Sequence, residues 1–222
     1  MAETEGVIKF NLTFRTARLV GVNVAELSAW RTVFKELGLL GQIPGRYDGY
    51  GFGNLSQRCA GGFIISGTQT GALETVTLND YAVCETWNLE RNAVAAKGAV
   101  KPSSESLSHA SIYDVHESVV CALHAHSPSI WRNSAELGIA VTDESVAYGT
   151  PEMAKEVRRL ITNMESPGIF AMGGHEDGVF TFGRSLAEAG QLMVHELVRA
   201  RALNESGIKF SDVEREQKSD VI

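Results

Sequence analysis

Val119-Val120-Cys121-Ala122-Leu123-His124-Ala125-His126-Ser127-Pro128 combines an apolar run, two histidines and a Ser-Pro pair within ten residues. The run from Val119 to His126 is apolar and opens on β-branched residues, so it reads as a buried strand. Ser127 and Pro128 end that strand and suit the cap and first position of a following helix. Side chains two apart on a strand share a face, so His124 and His126 converge on one side. Such a pair fits either one metal ion or a hydrogen-bonded structural couple. A catalytic zinc generally takes three protein ligands, with imidazole nitrogens at about 2.0–2.1 Å, and keeps an open position. The third ligand must therefore come from elsewhere in the chain.

Downstream, Thr150-Pro151-Glu152 opens a helix carried by Met153, Val157, Leu160 and Ile161. Gly168 to Met172 and Val179 to Phe182 read as short strands around the loop Gly173-Gly174-His175-Glu176-Asp177-Gly178. That loop brings the candidate third ligand, His175. Ser185 with Glu188 forms a capping box for a long helix through Leu186, Gly190, Met193, Leu197 and Ala200. Upstream, Lys101-Pro102-Ser103-Ser104-Glu105 starts a helix toward Tyr113, with Glu105 in its first turn. Gly41 to Gly71, with Phe63-Ile64-Ile65, reads as hairpins and loops. Asn23 and Glu26 form a capping box for a helix with a stripe of Leu27, Trp30, Val33, Phe34 and Leu37, stopped by Gly38. Ile8, Phe10, Leu12 and Phe14 alternate as in a half-buried strand. Helices mixed with hairpin-linked strands predict a largely antiparallel or mixed sheet with helices packed on it.

With 222 residues, 44% hydrophobic and 21% charged, the composition is that of a globular chain, read as one domain over 1–222. Residues 1–22 read as an N-terminal extension and 211–222 as a loose charged tail. A net charge of −7 without a basic stripe argues against nucleic-acid binding. The apolar runs are shorter than the ~20 residues of a membrane span. The acidic opening Met-Ala-Glu-Thr-Glu is unlike a signal peptide, so a cytoplasmic location is expected. Cys59, Cys84 and Cys121 suggest neither a disulfide framework nor a thiolate zinc site, and Cys121 reads as a packed thiol. Gly49-x-Gly51-x-Gly53 has the wrong spacing for a dinucleotide fingerprint.

Glu105 fits two roles: a favourable charge at a helix start, or an acid/base beside a metal that polarises neighbouring substrate oxygens. His109, one turn on, orients it or packs. Gly53-Asn54, Thr70-Gly71 and Ser103-Ser104 fit turns and caps, or else an anion cradle of amides and hydroxyls.

Gly53-Asn54-Leu55-Ser56-x-Arg58, Ile64-Ile65-Ser66-Gly67-Thr68-Gln69-Thr70-Gly71, Lys101-Pro102-Ser103-Ser104-Glu105, Tyr113 and His124-Ala125-His126-Ser127-Pro128, in that order, resemble the class II aldolase/adducin family. The resemblance runs from about Leu27 to Val198. It implies a three-layer α/β/α sandwich around a mainly antiparallel mixed sheet, a homotetramer with sites between subunits, and a lyase acting on a small hydroxylated carbonyl compound such as a sugar phosphate. It further implies Zn2+, or another divalent ion, held by His124, His126 and His175, with Glu105 as acid/base in enediolate chemistry. Gly53, Asn54, Thr70, Gly71, Ser103 and Ser104 match phosphate-binding positions.

The family also holds epimerases, dehydratases and decarboxylases, and the adducin head keeps the fold without enzymatic activity or the metal-binding histidines. Three departures stand out. His175 is followed by Glu176-Asp177-Gly178 rather than directly by glycine, the loop before Thr70 is longer than in the sugar-phosphate aldolases, and the segment from His126 to His175 is shorter, with Tyr148 in the turn before Thr150. Phosphorylated and non-phosphorylated substrates both stay open, and the tyrosine that protonates the leaving aldehyde in the fuculose-phosphate type has no assigned counterpart.

Overall fold

The structure is a computed structural model in which residues 7–206 are described. In chain order the elements are β1 (Asn11–Thr16), α1 (Ala25–Glu36), β2 (Gly41–Gln42), β3 (Gly51–Phe52), β4 (Asn54–Cys59), β5 (Gly62–Ser66), β6 (Tyr81–Asn88), β7 (Ala93–Gly98) and α2 (Ser106–Val115). There follow β8 (Cys121–His126), the short α3 (Pro128–Arg132) and α4 (Ser134–Leu137), β9 (Ala140–Val141), α5 (Pro151–Ile161), β10 (Gly168–Ala171), β11 (Gly178–Gly183) and α6 (Leu186–Ser206). Nine strands form one sheet in the order β1-β7-β6-β5-β4-β8-β11-β10-β9, and β2 pairs with β3 in a separate ribbon. Only the outermost pairs, β1 with β7 and β9 with β10, are parallel. The result is a mixed α/β fold with a mostly antiparallel sheet.

Strand alternation decides which residues meet. On β8, Cys121, Leu123 and Ala125 enter a core shared with Leu27 and Phe34 of α1 and Met193 and Leu197 of α6. Ala122, of opposite parity, enters a second core with Leu107 and Tyr113 of α2 and Val157 of α5. His124 and His126 share the parity of Ala122 and so emerge on the α2 side. β4 lies antiparallel to β8 with Asn54 opposite His124, and Leu55 joins the first core. Asn54 and Ser56 therefore face the same way as the two histidines. Fully buried side chains such as Leu55, Ile64 and Leu123 each contribute about 1.5–3 kcal/mol through removal from water.

Local signals explain several helix boundaries. Ser127 Oγ accepts from Ile130 N at 3.3 Å with Pro128 in the first turn of α3, and Thr150 Oγ1 accepts from Met153 N at 3.2 Å at the start of α5. Gly38, at φ +72°, follows α1 in the left-handed conformation that the stop signal requires.

Three expectations need correction. Asn23 Oδ1 accepts from Ala25 N at 2.9 Å while Val24 occupies the cap, so Asn23 and Glu26 make no reciprocal box. The Glu188 carboxylate returns its bond to Arg184 N at 2.9 Å, one residue before Ser185, whose Oγ accepts from Glu188 N at 3.1 Å. Residues 102–105 stay outside α2 because Pro102 bridges to Gly67 and Ser103 N donates to Ser66 O at 3.0 Å, tying them to the end of β5. Glu105 is thus the residue before α2 rather than part of its first turn. Residues 81–98, to which periodicity assigned no element, form the β6–β7 hairpin, whose register shifts between Cys84 and Thr86.

Strand β1, inside the stretch read as an extension, is an edge strand of the main sheet. The tail 211–222 lies outside the described residues. Among the described residues no helix is long and apolar enough to cross a membrane.

Candidate metal centre

Four buried side chains from three parts of the fold meet at one point. His124 and His126 come from β8, Glu105 from the residue before α2, and His175 from the loop between β10 and β11. One potential ligand atom from each lies within 4.8 Å of all the others, and none of the four residues is more than 2% exposed. Glu105 Oε1 is 2.9 Å from His124 Nε2 and 3.3 Å from His175 Nε2. Pairing of β8 with β11 sets Gly178 opposite His126, and the turn closed by Gly178 N donating to His175 O at 3.0 Å presents His175 to the strand. A Cβ on Gly178 would lie 2.8 Å from His175 Cδ2 and 3.3 Å from His124 Cε1, so the approach of the two imidazoles requires glycine there.

The donor set suits a divalent cation. His124 Nδ1 faces the Val179 carbonyl at 3.2 Å; a carbonyl can only accept, so Nδ1 carries the proton and, in the neutral ring, Nε2 carries a lone pair toward the cluster. Burial, followed by the neighbouring His175 and His124, holds His126 well below the usual imidazole range. Burial works to raise the Glu105 carboxyl, but His124 and His175 outweigh it and hold the group well below the usual carboxylate range. Glu105 is therefore charged, and its buried Oε2 has no hydrogen-bond partner among the described residues. A buried carboxylate without a cation costs several kcal/mol.

Beside the cluster, Gly53, Asn54, Thr70, Gly71, Ser103 and Ser104 line a single cavity together with Gly51, Gly67, Thr68 and Gln69. Asn54 stands opposite His124 and Ser104 precedes Glu105, so this cavity adjoins the cluster. The 320 Å³ of open space there includes solvent beyond the mouth, and the enclosed part is only about 20 Å³, room for a water molecule or one small polar group. Some of the lining is committed to structure: Thr70 Oγ1 donates to Gly67 O at 2.8 Å and Ser103 Oγ accepts from Glu105 N at 3.3 Å. His109 does not contact the Glu105 carboxylate; it bonds Asn54 and Ser56.

Several residues around the site were not singled out by sequence reasoning. Tyr47 packs its ring 4.6 Å from that of His126, and its hydroxyl donates to Asp177 Oδ2 at 2.6 Å while accepting from Arg46 at 2.8 Å. Burial and Asp177 raise the Tyr47 hydroxyl strongly. Arg31, 2% exposed, donates from Nη2 to Thr70 O at 2.7 Å and Leu73 O at 3.0 Å, pinning the loop that lines the cavity. Its place between Leu27 and Phe34 on the α1 stripe was a readable sign of burial, whereas Tyr47 lies in a loop with no periodicity to mark it. Tyr148, which the sequence did mark in the turn before Thr150, is buried with its ring 4.4 Å from that of His175. Cys121 is a packed thiol that burial pushes up to about 12.

The class II aldolase and adducin N-terminal domain model matches residues 45–201, and the chain belongs to that family. Solved structures with the same fold include the L-fuculose-1-phosphate aldolase of Thermus thermophilus, at 20% identity and TM-score 0.59 over 82% of this chain and 92% of that one. YgbL from Klebsiella pneumoniae aligns at 17% identity and TM-score 0.61 over 82% and 88%. A sugar-phosphate aldolase from Thermotoga maritima aligns at 13% identity and TM-score 0.59 over 83% and 96%. At these identities the likeness is one of fold. A search of curated protein sequences finds no match.

Proposed function

We propose that this chain is a zinc-dependent lyase of the class II aldolase type, making or breaking a carbon–carbon bond in a small hydroxylated carbonyl compound such as a sugar phosphate. The observation that carries the reading is the convergence of His124, His126, His175 and Glu105 within 4.8 Å in a buried site. The three histidines hold the ion, and Phe180, stacked on His124 at 4.4 Å, and Tyr148, against His175, keep two of the imidazoles in place. When bound, a divalent ion supplies Lewis-acid polarisation of the substrate oxygens. Glu105, ionised and shielded from water, accepts or returns the proton of the reacting substrate. Gly53, Asn54, Thr70, Gly71, Ser103 and Ser104 bind the oxygen-rich end of the substrate. We read the helices on the two cores as outer layers of an α/β/α sandwich, the whole chain as one domain, and the enzyme as a cytoplasmic homotetramer.

Metal content of the purified, untagged protein tests this directly. About one zinc per chain is expected in the wild type, with loss in folded His124→Ala and His175→Ala. Product analysis then follows, because only a lyase yields two carbon fragments. A second reading, an epimerase or dehydratase, is favoured by the two tyrosines beside the histidines: Tyr148 is buried and the Tyr47 hydroxyl is committed to Asp177, so neither is placed to protonate a leaving aldehyde. A wild type that holds no metal and takes up none would turn the assignment to a non-catalytic interaction module.

A further inference from the structure

Behind the cavity runs a second buried polar group that binds no part of the metal cluster. Asn54 and Ser56 alternate on β4 and face α2; His109 and Tyr113, four apart on α2, face them in return. Asn54 Oδ1 lies 2.6 Å from His109 Nε2, Ser56 Oγ lies 2.6 Å from His109 Nδ1, and Tyr113 Oη lies 2.7 Å from Ser56 Oγ. All four residues are buried, and only Asn54 also lines the cavity.

Proton counting gives this chain a direction. An amide oxygen only accepts, so Nε2 must carry the ring proton. A neutral ring then has a bare Nδ1, which requires a donor, and the hydroxyl beside it is that of Ser56. Ser56 Oγ also lies 3.3 Å from the Ala122 carbonyl, a longer contact than the 2.6 Å to Nδ1, so its proton goes to His109 and it accepts from Tyr113. Burial, which drives the His109 imidazole down to about 3, agrees with a neutral ring. With Oδ1 held by His109, the Asn54 amide has its Nδ2 hydrogens left for the cavity.

We propose that His109 is a positioning residue: the relay Tyr113–Ser56–His109 fixes the Asn54 amide so that it offers hydrogen-bond donors to the cavity, which selects an oxygen-acceptor or anionic group on the ligand. The ligand half of this proposal rests on the cavity being the substrate pocket of the proposed function; the relay itself does not. Unlike a packing role, the relay demands one tautomer and couples His109 to ligand binding through Asn54 alone.

The test uses the full-length, metal-loaded protein labelled with 15N-histidine, with the His109→Phe spectrum for assignment. The relay requires a neutral His109 protonated on Nε2, and the Nδ1-protonated tautomer overturns it. Binding of inorganic phosphate, followed by calorimetry, is then measured for the wild type, Asn54→Ala, His109→Phe and the double variant. Each single change is expected to weaken binding about tenfold, and the double change no further, because both remove the same donor. Additive losses, or a His109→Phe protein that binds like the wild type, overturn the coupling. Ser56→Ala, a smaller change, must weaken phosphate in the same direction if His109→Phe does not fold. A wild type that binds no phosphate sinks the anion reading of the cavity and the ligand half of this proposal, whereas the wrong tautomer sinks the relay and leaves the cavity reading standing.

Discussion

Two polar clusters sit on the same side of the sheet, both excluded from water, and they differ in how their atoms are matched. In the Asn54–His109–Ser56–Tyr113 chain each contact joins a donor to an acceptor, at 2.6–2.7 Å. In the Glu105–His124–His126–His175 group the side chains aim carboxylate and imidazole atoms at one another, and Glu105 Oε2 finds no donor among the described residues. Burial is equal in both, so burial alone does not mark a metal site. The distinguishing feature is that the convergent group aims several potential ligand atoms at one point, an arrangement that could hold a divalent cation.

The largest effect expected from breaking that contrast is on the convergent cluster. His124→Ala or His175→Ala should abolish metal binding, and stripping the wild type with a chelator should lower its stability by several kcal/mol, about 4 if the metal is present at a thousand times its dissociation constant; metal analysis and thermal melts check both. Gly178→Ala leaves every ligand in the chain but drives a methyl group against His175 and His124. It should weaken metal affinity by roughly tenfold or more, measurable by competition with a chromogenic chelator.

The matched chain should respond in stability rather than in metal content. Ser56→Ala strands His109 Nδ1 and the Tyr113 hydroxyl and is expected to cost about 1–3 kcal/mol in urea unfolding, with metal content unchanged. His109 also gives a pH signature. Its folded value of about 3 lies below the ordinary 6.5, so between those limits the unfolded chain binds the extra proton. Its contribution is present above pH 6.5 and fades as pH falls toward 3, at about 1.4 kcal/mol per pH unit. The wild type should therefore lose stability more steeply in that window than His109→Phe. The smallest effect is expected from Tyr47→Phe, which removes the bond to Asp177 and the one accepted from the half-buried Arg46 at the rim of the cluster and should cost about 1 kcal/mol.

The legible parts of the fold were those with local causes. Ser127-Pro128 and Thr150-Pro151 start helices because a hydroxyl and a pre-set φ act within one turn. The β6–β7 hairpin was missed because its alternation is broken by a bulge at Cys84/Thr86. Glu105 was placed in a helical first turn because nothing local reveals that Ser103 N reaches Ser66 O, a contact made by a distant strand. Tyr47, Arg46 and Asp177 escaped for the same reason: their bonds join loops far apart in the chain.

That His124 and His126 share a face follows from the period of two along a strand, and the order of the motifs marks His175 and Glu105 as their partners by family resemblance. That these four meet was decided by tertiary structure alone. The register of β8 with β11 sets Gly178 opposite His126, and the bridge from Pro102 to Gly67 stops α2 short so that Glu105 turns inward. Periodicity fixes the direction of a side chain over a few residues, whereas distances between residues far apart in the chain are set by strand register and core packing.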